Sequence, residues 1–333
     1  MTGPMKDRKR ETTMTSQQHP IDPEEPIRVN HTVRTIVISL VVIALVAVAG
    51  FFGYRALSSG ASAPKGSASN PVKIGVVGAT DPQWPEFTKK AQKAGIHVKI
   101  VDFQDYTSEN PALDSGELDL NEFQHLLYLA NYNTKNNQDL QPIGGVAIYP
   151  LGVYSDKVRS IASTSAGSTV AIPNDETNQA RALGVLKDAG LITPKGKWTA
   201  FSTPADVNTE KSKVKVTALK AEQVANALKD PKIAAGVINN DYVSDAGLKA
   251  TDAIYQDDAT SVSARPYINV FVSRKADVDN PVYRKVVKLY QTKPVLDALQ
   301  KKSDGTASFA TQYSAGQLQG FLKQIEQDAH NAG

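Results

Sequence analysis

The sequence predicts an α/β protein with largely parallel sheets, arranged in two lobes behind an N-terminal transmembrane helix. Three observations support this prediction. The chain has 333 residues, more than a single small domain needs. From Val72 onward, short apolar strands alternate with amphipathic helices, which is typical of α/β folds. The extended run from Ile143 to Ser155 continues past Pro150, as a crossover between two lobes would.

The N-terminal region predicts a membrane anchor. Residues 1–35 are polar and Pro-rich and predict a disordered tail. Ile36 to Tyr54 carries no charge and would form a helix about 28 Å long, which matches the hydrocarbon core of a bilayer. Because Lys and Arg are more numerous before this span than shortly after it, we expect a cytoplasmic tail and an extracytoplasmic remainder, hence a single-pass cell-membrane protein. Residues 55–71 predict a flexible linker. A signal peptide cleaved near Ala61 to Ala63 is the alternative.

The remaining elements follow from hydrophobic periodicity and from the positions of Gly and Pro. The first unit is a strand over Val72 to Val77, a helix over Pro85 to Ala94 and a strand over His97 to Phe103. Further strands are predicted over Thr169 to Ile172, Lys213 to Leu219, Ala235 to Asn239 and Tyr267 to Ser273. Further helices are predicted over Asn110 to Leu113, Asn121 to Tyr132, Asp175 to Asp188, Ala221 to Lys229, Pro281 to Gln291, Pro294 to Lys301 and Ala315 to His330.

Composition excludes several classes of function. The formal net charge is only +3, and no basic stripe with interleaved aromatics occurs, so no nucleic-acid partner is expected. The sequence contains no cysteine, which excludes disulfides, thiolate metal sites, cysteine nucleophiles and lipid attachment through a cysteine. The five histidines lack metal-ligand spacing, and phosphate-loop, GxSxG and HExxH motifs are absent. We therefore predict no metal, no cofactor and no enzymatic activity.

The stretch from Thr169 to Leu183 is the candidate ligand site. Asn174, Asn178 and Arg181 share one face of the predicted helix, above the free N–H groups of its first turn. An Arg fork, the positive end of a helix dipole and two amides suit the carboxylate and ammonium of a small zwitterion. Asn239 ends another predicted strand, where ligands of open α/β sheets collect. The alternative is that the Asn residues cap helices or form turns while Arg181 is a solvated surface residue.

A second candidate wall lies on the predicted helix that begins at Asn121. Phe123, His125 and Tyr128 can reach one side of a pocket and combine an apolar surface with polar tips. The alternative is that Phe123 belongs to the core and His125 is capped or faces solvent.

Seven segments of the chain, in order, are similar to the signature segments of the MetQ/NlpA family, the substrate-binding proteins of methionine ABC importers. They are GVVGAT (75–80), FQDY (103–106), DLNEFQHLLYL (119–129), IYPLGVYS (148–155), AIPNDETNQARAL (171–183), VINNDYVSDAGL (237–248) and PYINVFVSR (266–274). The resemblance covers about residues 72–300 and excludes the tail, the span and the linker.

The resemblance implies a two-lobe, type II-like periplasmic-binding-protein fold that closes by hinge motion on L-methionine and delivers it to an ABC permease and its ATPase. We expect lobe 1 to comprise 72–154 and 267–333, and lobe 2 to comprise 155–266. Carried onto matching positions, the family's ligand contacts fall into three groups. Arg181 would pair with the carboxylate, with Asn174, Asn178 and Asn239 at the amino-acid head group; Tyr106, Phe123, His125 and Tyr128 would surround the thioether; Tyr149 would lie near the lobe crossover.

The chain also departs from the family pattern. Glu122 stands where the family has an aromatic residue, 81–84 replaces a PGPH run, and the lipid-modified cysteine is missing, so the membrane span would replace it. Two alternatives remain open: a binder of another amino acid or of a methionine-containing dipeptide, and an exported α/β enzyme using His125 as a base beside Glu122 or Asp119.

Overall fold

The structure is a computed structural model and describes residues 63–332. The predicted tail, the predicted span from Ile36 to Tyr54 and residues 55–62 of the predicted linker lie outside these residues. Among the residues that are described, none of the helices combines the length and the apolar character that crossing a bilayer requires.

The first lobe is built on a five-stranded mixed sheet. Its strands are β1 (Val72–Val77), β2 (Val98–Phe103), β3 (Leu120–Asn121), β4 (Gln141–Gly145) and, late in the chain, β11 (Val270–Ser273). Their spatial order is β2-β1-β3-β11-β4. The first three strands are parallel, whereas β11 runs antiparallel to both of its neighbours. The carboxyl ends of β1, β2 and β3 therefore meet at one edge.

Helices cover both faces of this sheet. They are α1 (Gln83–Lys93), α2 (Glu109–Asp114), α3 (Leu126–Asn136), α7 (Pro281–Tyr290), α8 (Lys293–Lys302) and α9 (Ala315–Ala332). Successive side chains of a strand point to opposite faces of the sheet, so the side chains of β11 show which helices lie on each face. Phe271 packs into the core formed with α1, α7 and α8, while Val270 and Val272 pack into the core formed with α3 and α9.

The second lobe has its own five-stranded sheet. Its strands are β6 (Gly152–Tyr154), β7 (Thr169–Pro173), β8 (Lys215–Leu219), β9 (Ile233–Ile238) and β10 (Tyr255–Gln256), in the order β10-β6-β9-β7-β8. Strand β7 is parallel to β8 and β9, and β6 is antiparallel to β9 and β10. Its helices are α4 (Glu176–Asp188), α5 (Ala221–Ala227) and α6 (Asn240–Val243).

Shorter elements complete the described part of the chain. A two-stranded ribbon pairs β5 (Ala147–Ile148) with β12 (Ser308–Phe309). The 3₁₀ helices are Pro204–Asp206, Ser244–Ala246, Ala250–Asp252, Val262–Tyr267 and Lys275–Asp277.

The chain crosses between the two sheets twice, at 149–151 and at 257–269. The predicted crossover near Pro150 thus lies where the chain leaves the first sheet. Strand Gly152–Tyr154, which the predicted boundaries assign to lobe 1, is hydrogen-bonded in the second sheet. Two crossing segments between compact sheets are the arrangement that a hinge requires.

The structure corrects two predicted elements. The helix expected from Asn121 begins at Leu126 instead, because Leu120–Asn121 is inserted into the sheet between β1 and β11. His125 keeps an extended backbone, and its Nδ1 accepts the N–H of Tyr128 as the helix cap. The strand expected from Tyr267 starts at Val270, because Tyr267 ends a 3₁₀ helix.

Candidate functional site

A cavity lies between the lobes, where strands of both sheets end. Its lining atoms enclose about 440 Å³ when the open space at its mouth is included. The first lobe contributes residues that follow β2 and β3, and the second lobe contributes residues from α4 and from the end of β9. This placement agrees with the rule that ligands bind beyond the carboxyl ends of strands.

Arg181 is the cationic group of this cavity. It lies on α4 and is only 7% exposed. Its Nε donates to Asp257 Oδ2 at 2.8 Å, and its Nη2 donates to Asp257 Oδ1 at 3.2 Å and to the carbonyl oxygen of Tyr149 at 2.9 Å. Its guanidinium carbon lies 4.1 Å from the centre of the Tyr267 ring. Nη1 has no hydrogen-bond partner among residues 63–332, so the fork is held rigidly while one nitrogen stays available for a ligand.

Asp257 connects this guanidinium to both crossovers. Besides its ion pair with Arg181, its Oδ1 accepts the backbone N–H of Leu151 at 2.8 Å. Its own backbone N–H donates to the carbonyl oxygen of Leu151 at 3.3 Å. The residue that orients the Arg181 guanidinium is therefore hydrogen-bonded to the first crossover segment.

An amide network joins the two lobes beside Arg181. The Asn178 Oδ1 atom accepts from Asn239 Nδ2 at 2.9 Å and lies 3.4 Å from His125 Nε2. Asn178 Nδ2 donates to both carboxylate oxygens of Asp175, which also caps α4 by accepting the Asn178 N–H. The helix N-terminus proposed for a ligand carboxylate thus already carries the Asp175 side chain. The Oδ1 atom of Asn239 is buried and has no partner among the described residues.

His125 is neutral in this environment. Burial, and secondarily the nearby Arg181 charge, lower the pKa of His125 to about 3. Because Nδ1 accepts the Tyr128 N–H, the ring proton resides on Nε2 and is donated to Asn178. Both ring nitrogens are engaged, so His125 acts here as a fixed donor between the lobes.

Aromatic rings form the apolar wall. The Tyr106 and Phe123 ring centres are 5.9 Å apart, and Tyr128 packs edge-on against Phe123 at 5.8 Å. Tyr128 donates its hydroxyl to the carbonyl oxygen of Tyr106 at 2.8 Å. Tyr106 in turn donates its hydroxyl to Asp241 Oδ2 of the second lobe at 2.7 Å. The wall is therefore apolar toward the cavity, and both tyrosine hydroxyls are already engaged, that of Tyr128 within the first lobe and that of Tyr106 across to the second lobe.

Comparison with known proteins identifies the family. The profile described as NlpA lipoprotein matches residues 72–310 of this chain.

The chain belongs to the NlpA lipoprotein family.

Relatives and solved structures agree with this assignment. The chain is 36% identical over 247 residues to the D-methionine-binding lipoprotein MetQ of Yersinia pestis, covering 73% of this chain and 90% of that protein. The substrate binding protein of a methionine transporter from Streptococcus pneumoniae superposes with a TM-score of 0.67 at 30% identity, covering 72% of this chain and 95% of the other. A nutrient binding protein from Burkholderia cenocepacia, bound to methionine, gives a TM-score of 0.66 at 35% identity, covering 72% of this chain and 99% of the other. The resemblance to the MetQ/NlpA family is confirmed, and the chain has the two-lobe α/β fold of substrate-binding proteins.

In this NlpA-family chain, the cavity brings together most of the residues singled out from the sequence. Asn174 is exposed and lies outside the cavity, in a neighbouring surface depression beside Tyr106 and Tyr128. Eight of the nine candidates line the cavity: Tyr106, Phe123, His125, Tyr128, Tyr149, Asn178, Arg181 and Asn239.

Sequence reasoning missed several residues of the NlpA-family site, and three of them are an acidic group of the cavity or hold Arg181. Asp241 lines the cavity and lies only two positions after Asn239, so the same strand-end argument could have found it. Asp257 and Tyr267, which hold Arg181 from behind, come from the second crossover. Tyr267 lies in the PYINVFVSR segment, at the start of a predicted strand, but neither pattern indicates a contact with Arg181, and Asp257 lies in none of the seven segments. Only their contacts reveal their role.

Proposed function

We propose that this NlpA-family protein is the extracytoplasmic substrate-binding protein of an ABC importer. It holds L-methionine between its lobes and delivers it to the permease and its ATPase. The observation that carries this proposal is the buried guanidinium of Arg181, oriented by Asp257 and Tyr149 in a cavity whose opposite wall is aromatic. Such a site suits an amphipathic amino acid. Methionine as the ligand is supported by the relatives, which are named as a D-methionine-binding protein, a methionine-transporter component and a protein bound to methionine.

The proposed contacts follow the chemistry of each wall. The ligand carboxylate accepts from Arg181 Nη1, and the buried, unpaired Oδ1 of Asn239 accepts from the ligand ammonium. Asn178 and His125 fix the positions of these groups through their shared hydrogen bonds. The thioether, which is soft and polarisable, packs on aromatic edges. Those edges belong to Tyr106, Phe123, Tyr128 and Tyr149.

Membrane attachment belongs to the same proposal. Ile36 to Tyr54 would anchor the protein in the cell membrane with a cytoplasmic N-terminus, in place of a lipid on cysteine, a residue this sequence lacks. The linker over 55–71 then lets the binding domain reach a permease in the same membrane. Closure about the two crossovers would present both lobes to that permease.

Contacts of His125 argue against the alternative of an exported enzyme. Both of its ring nitrogens are engaged and burial holds its pKa well below neutrality, so it is a poor general base. Glu122 lies on the wall of a separate chamber beside Asp241 and Asp81.

The test is a ligand survey by calorimetry on the full-length protein in detergent. L-Methionine, D-methionine, L-leucine and a methionine dipeptide are titrated separately, and any molecule that co-purifies is identified by mass spectrometry. We expect saturable one-to-one binding of L-methionine that is tighter than that of L-leucine. Absence of methionine binding, or conversion of the ligand into a product, would overturn the proposal. If D-methionine or the dipeptide bound more tightly than L-methionine, the proposed transport role would stand and the proposed ligand would be replaced by the tighter one.

A further inference from the structure

A second, smaller chamber adjoins the ligand cavity on the side away from Arg181. Its lining atoms enclose about 360 Å³ when open space at its mouth is included, but its interior has room for little more than one water molecule or one ammonium group. It shares with the ligand cavity the walls formed by Phe123, Tyr149, Asn240, Asp241 and Asn269. Arg181 does not line it. We call it the acidic chamber, defined by Asp81, Glu122, Asp241 and Lys302.

Three carboxyl groups in the acidic chamber face one ammonium group. Lys302 Nζ lies 2.8 Å from Asp81 Oδ1, so these two charges balance. Asp241 accepts the Tyr106 hydroxyl, a neutral donor, at 2.7 Å. Glu122 is 8% exposed, and its carboxyl group makes no hydrogen bond or ion pair with any residue from 63 to 332, although its backbone N–H donates to the carbonyl oxygen of Gly75. Two of the three carboxyl groups thus lack a cationic partner, which is costly for buried charges.

Other unpaired atoms around the two cavities are mainly acceptors. Gln83 is 5% exposed, lines the acidic chamber, and its Oε1 has no partner among the described residues. The Oδ1 atom of Asn239 is likewise buried and unpaired in the adjoining ligand cavity. Trp84 Nε1 is an unpaired donor on the chamber wall. A guest that carries several N–H donors and a positive charge would satisfy these acceptors and balance the carboxylates, and a protonated amine has three such donors.

We propose that Asp241 and Glu122 form a subsite for a protonated amine of the ligand. The inference rests on the proposed function and gives the ligand cavity two charged ends: Arg181 for a carboxylate, and the acidic chamber for an amine. The amine has two chemical sources. It is either the α-ammonium of a free amino acid or the terminal amine of a ligand that is longer by one residue.

The acidic chamber has a consequence for proton binding. Burial, followed by the nearby Asp241 and Asp81 charges, raises the pKa of Glu122 to about 8. Burial also raises the pKa of Asp241 to about 6, although the hydrogen bond from Tyr106 acts to lower it. A bound ammonium favours both ionised forms, so binding releases protons near neutral pH and weakens as the pH falls from about 8 through about 6. The charged and titratable groups that interact with this pair are Asp81, Glu109, Asp245, Lys302, Tyr106, Tyr149, Tyr242 and Tyr290.

The experiment compares three ligands by calorimetry on the full-length protein in detergent at pH 7.5. They are L-methionine, glycyl-L-methionine, and 4-(methylthio)butanoic acid, which is methionine without its amine. The variants are Asp241→Asn and Glu122→Gln. Glu109→Gln is the matched control, because Glu109 is also a fully buried, unpaired glutamate of the first lobe but lines neither cavity.

We expect Asp241→Asn to weaken the affinity for the amine-bearing ligand at least tenfold, because a hydrogen bond to a charged group corresponds to about tenfold or more in affinity. The affinity for 4-(methylthio)butanoic acid, which has no amine, should stay within about threefold of the wild-type value. Loss confined to glycyl-methionine identifies a terminal amine, and loss for methionine identifies the α-ammonium. The wild type should also release protons on binding, so the measured heat of binding should change with the ionisation enthalpy of the buffer. This measurement uses only the wild type and therefore tests the proposal even if a variant folds poorly.

Equal effects on ligands with and without an amine, together with no proton release by the wild type, would overturn the subsite while leaving the proposed function intact. If the wild type bound none of the three ligands, both the proposed function and the subsite would be overturned.

Discussion

Replacing Arg181 by Ala tests the centre of the proposed site. Asp257 and Tyr149 already occupy two of the three guanidinium nitrogens, so the ligand carboxylate depends on Nη1 and on the charge. One or two hydrogen bonds between charged groups, at about 1.5–3 kcal/mol each, together with the penalty for an unpaired buried carboxylate, give about 2–5 kcal/mol. We therefore expect Arg181→Ala to weaken L-methionine binding by roughly thirtyfold to several thousandfold in isothermal titration calorimetry.

Two further variants make the result interpretable. Arg181→Lys keeps the charge but not the fork, and should fall between the wild type and Arg181→Ala. Arg284→Ala removes an arginine of a largely exposed ion pair with Asp279 and should leave affinity unchanged. Because Arg181→Ala also leaves Asp257 without its cation, circular dichroism must show that the variant is folded. Binding by folded Arg181→Ala within threefold of the wild type would refute the assignment of the carboxylate.

Four other substitutions have defined outcomes. Asp257→Asn keeps the shape of the anchor but removes its charge, and should weaken ligand binding by about 1–1.5 kcal/mol, roughly tenfold in calorimetry. It should also lower the melting temperature, because Arg181, whose side chain is 6% exposed, loses its ion pair. Burial raises the pKa of Glu109 to about 9 from 4.5, so the folded state keeps a proton that the unfolded chain loses. Wild-type stability should fall by up to about 1.4 kcal/mol per pH unit from this group as the pH rises from 4.5 to 9, and Glu109→Gln should flatten that decline in denaturant titrations. A Cβ at Gly145 would run into the backbone carbonyl oxygen of Ala310, so Gly145→Ala should destabilise by about 1–3 kcal/mol. Gly320→Ala, in the last helix with open space around it, should stabilise by about 0.5–1 kcal/mol, and the opposite order of melting temperatures would contradict this account.

Local pattern determined the α/β organisation and most of the element types, because the periodicity of apolar residues reports which face of an element is buried. It also pointed to Arg181, Asn178 and Asn239, since each lies on a helix or at a strand end where the backbone itself predicts a ligand edge. The family resemblance added the aromatic wall, which spacing alone left open between core and pocket.

Tertiary structure decided what local pattern does not contain. Leu120–Asn121 is a strand rather than the start of a helix because neighbours distant in sequence, β1 and β11, pair with it. Asn174 turns out to be exposed, although it shares the helical spacing of Arg181. Whether Arg181 was a solvated surface residue or a buried recognition group depended on Asp257, which is 76 positions away in the chain. Charge balance in a cavity is a property of all the groups that meet there, so the partners of Arg181 and the unpaired carboxyl of Glu122 became visible only once both lobes were folded together.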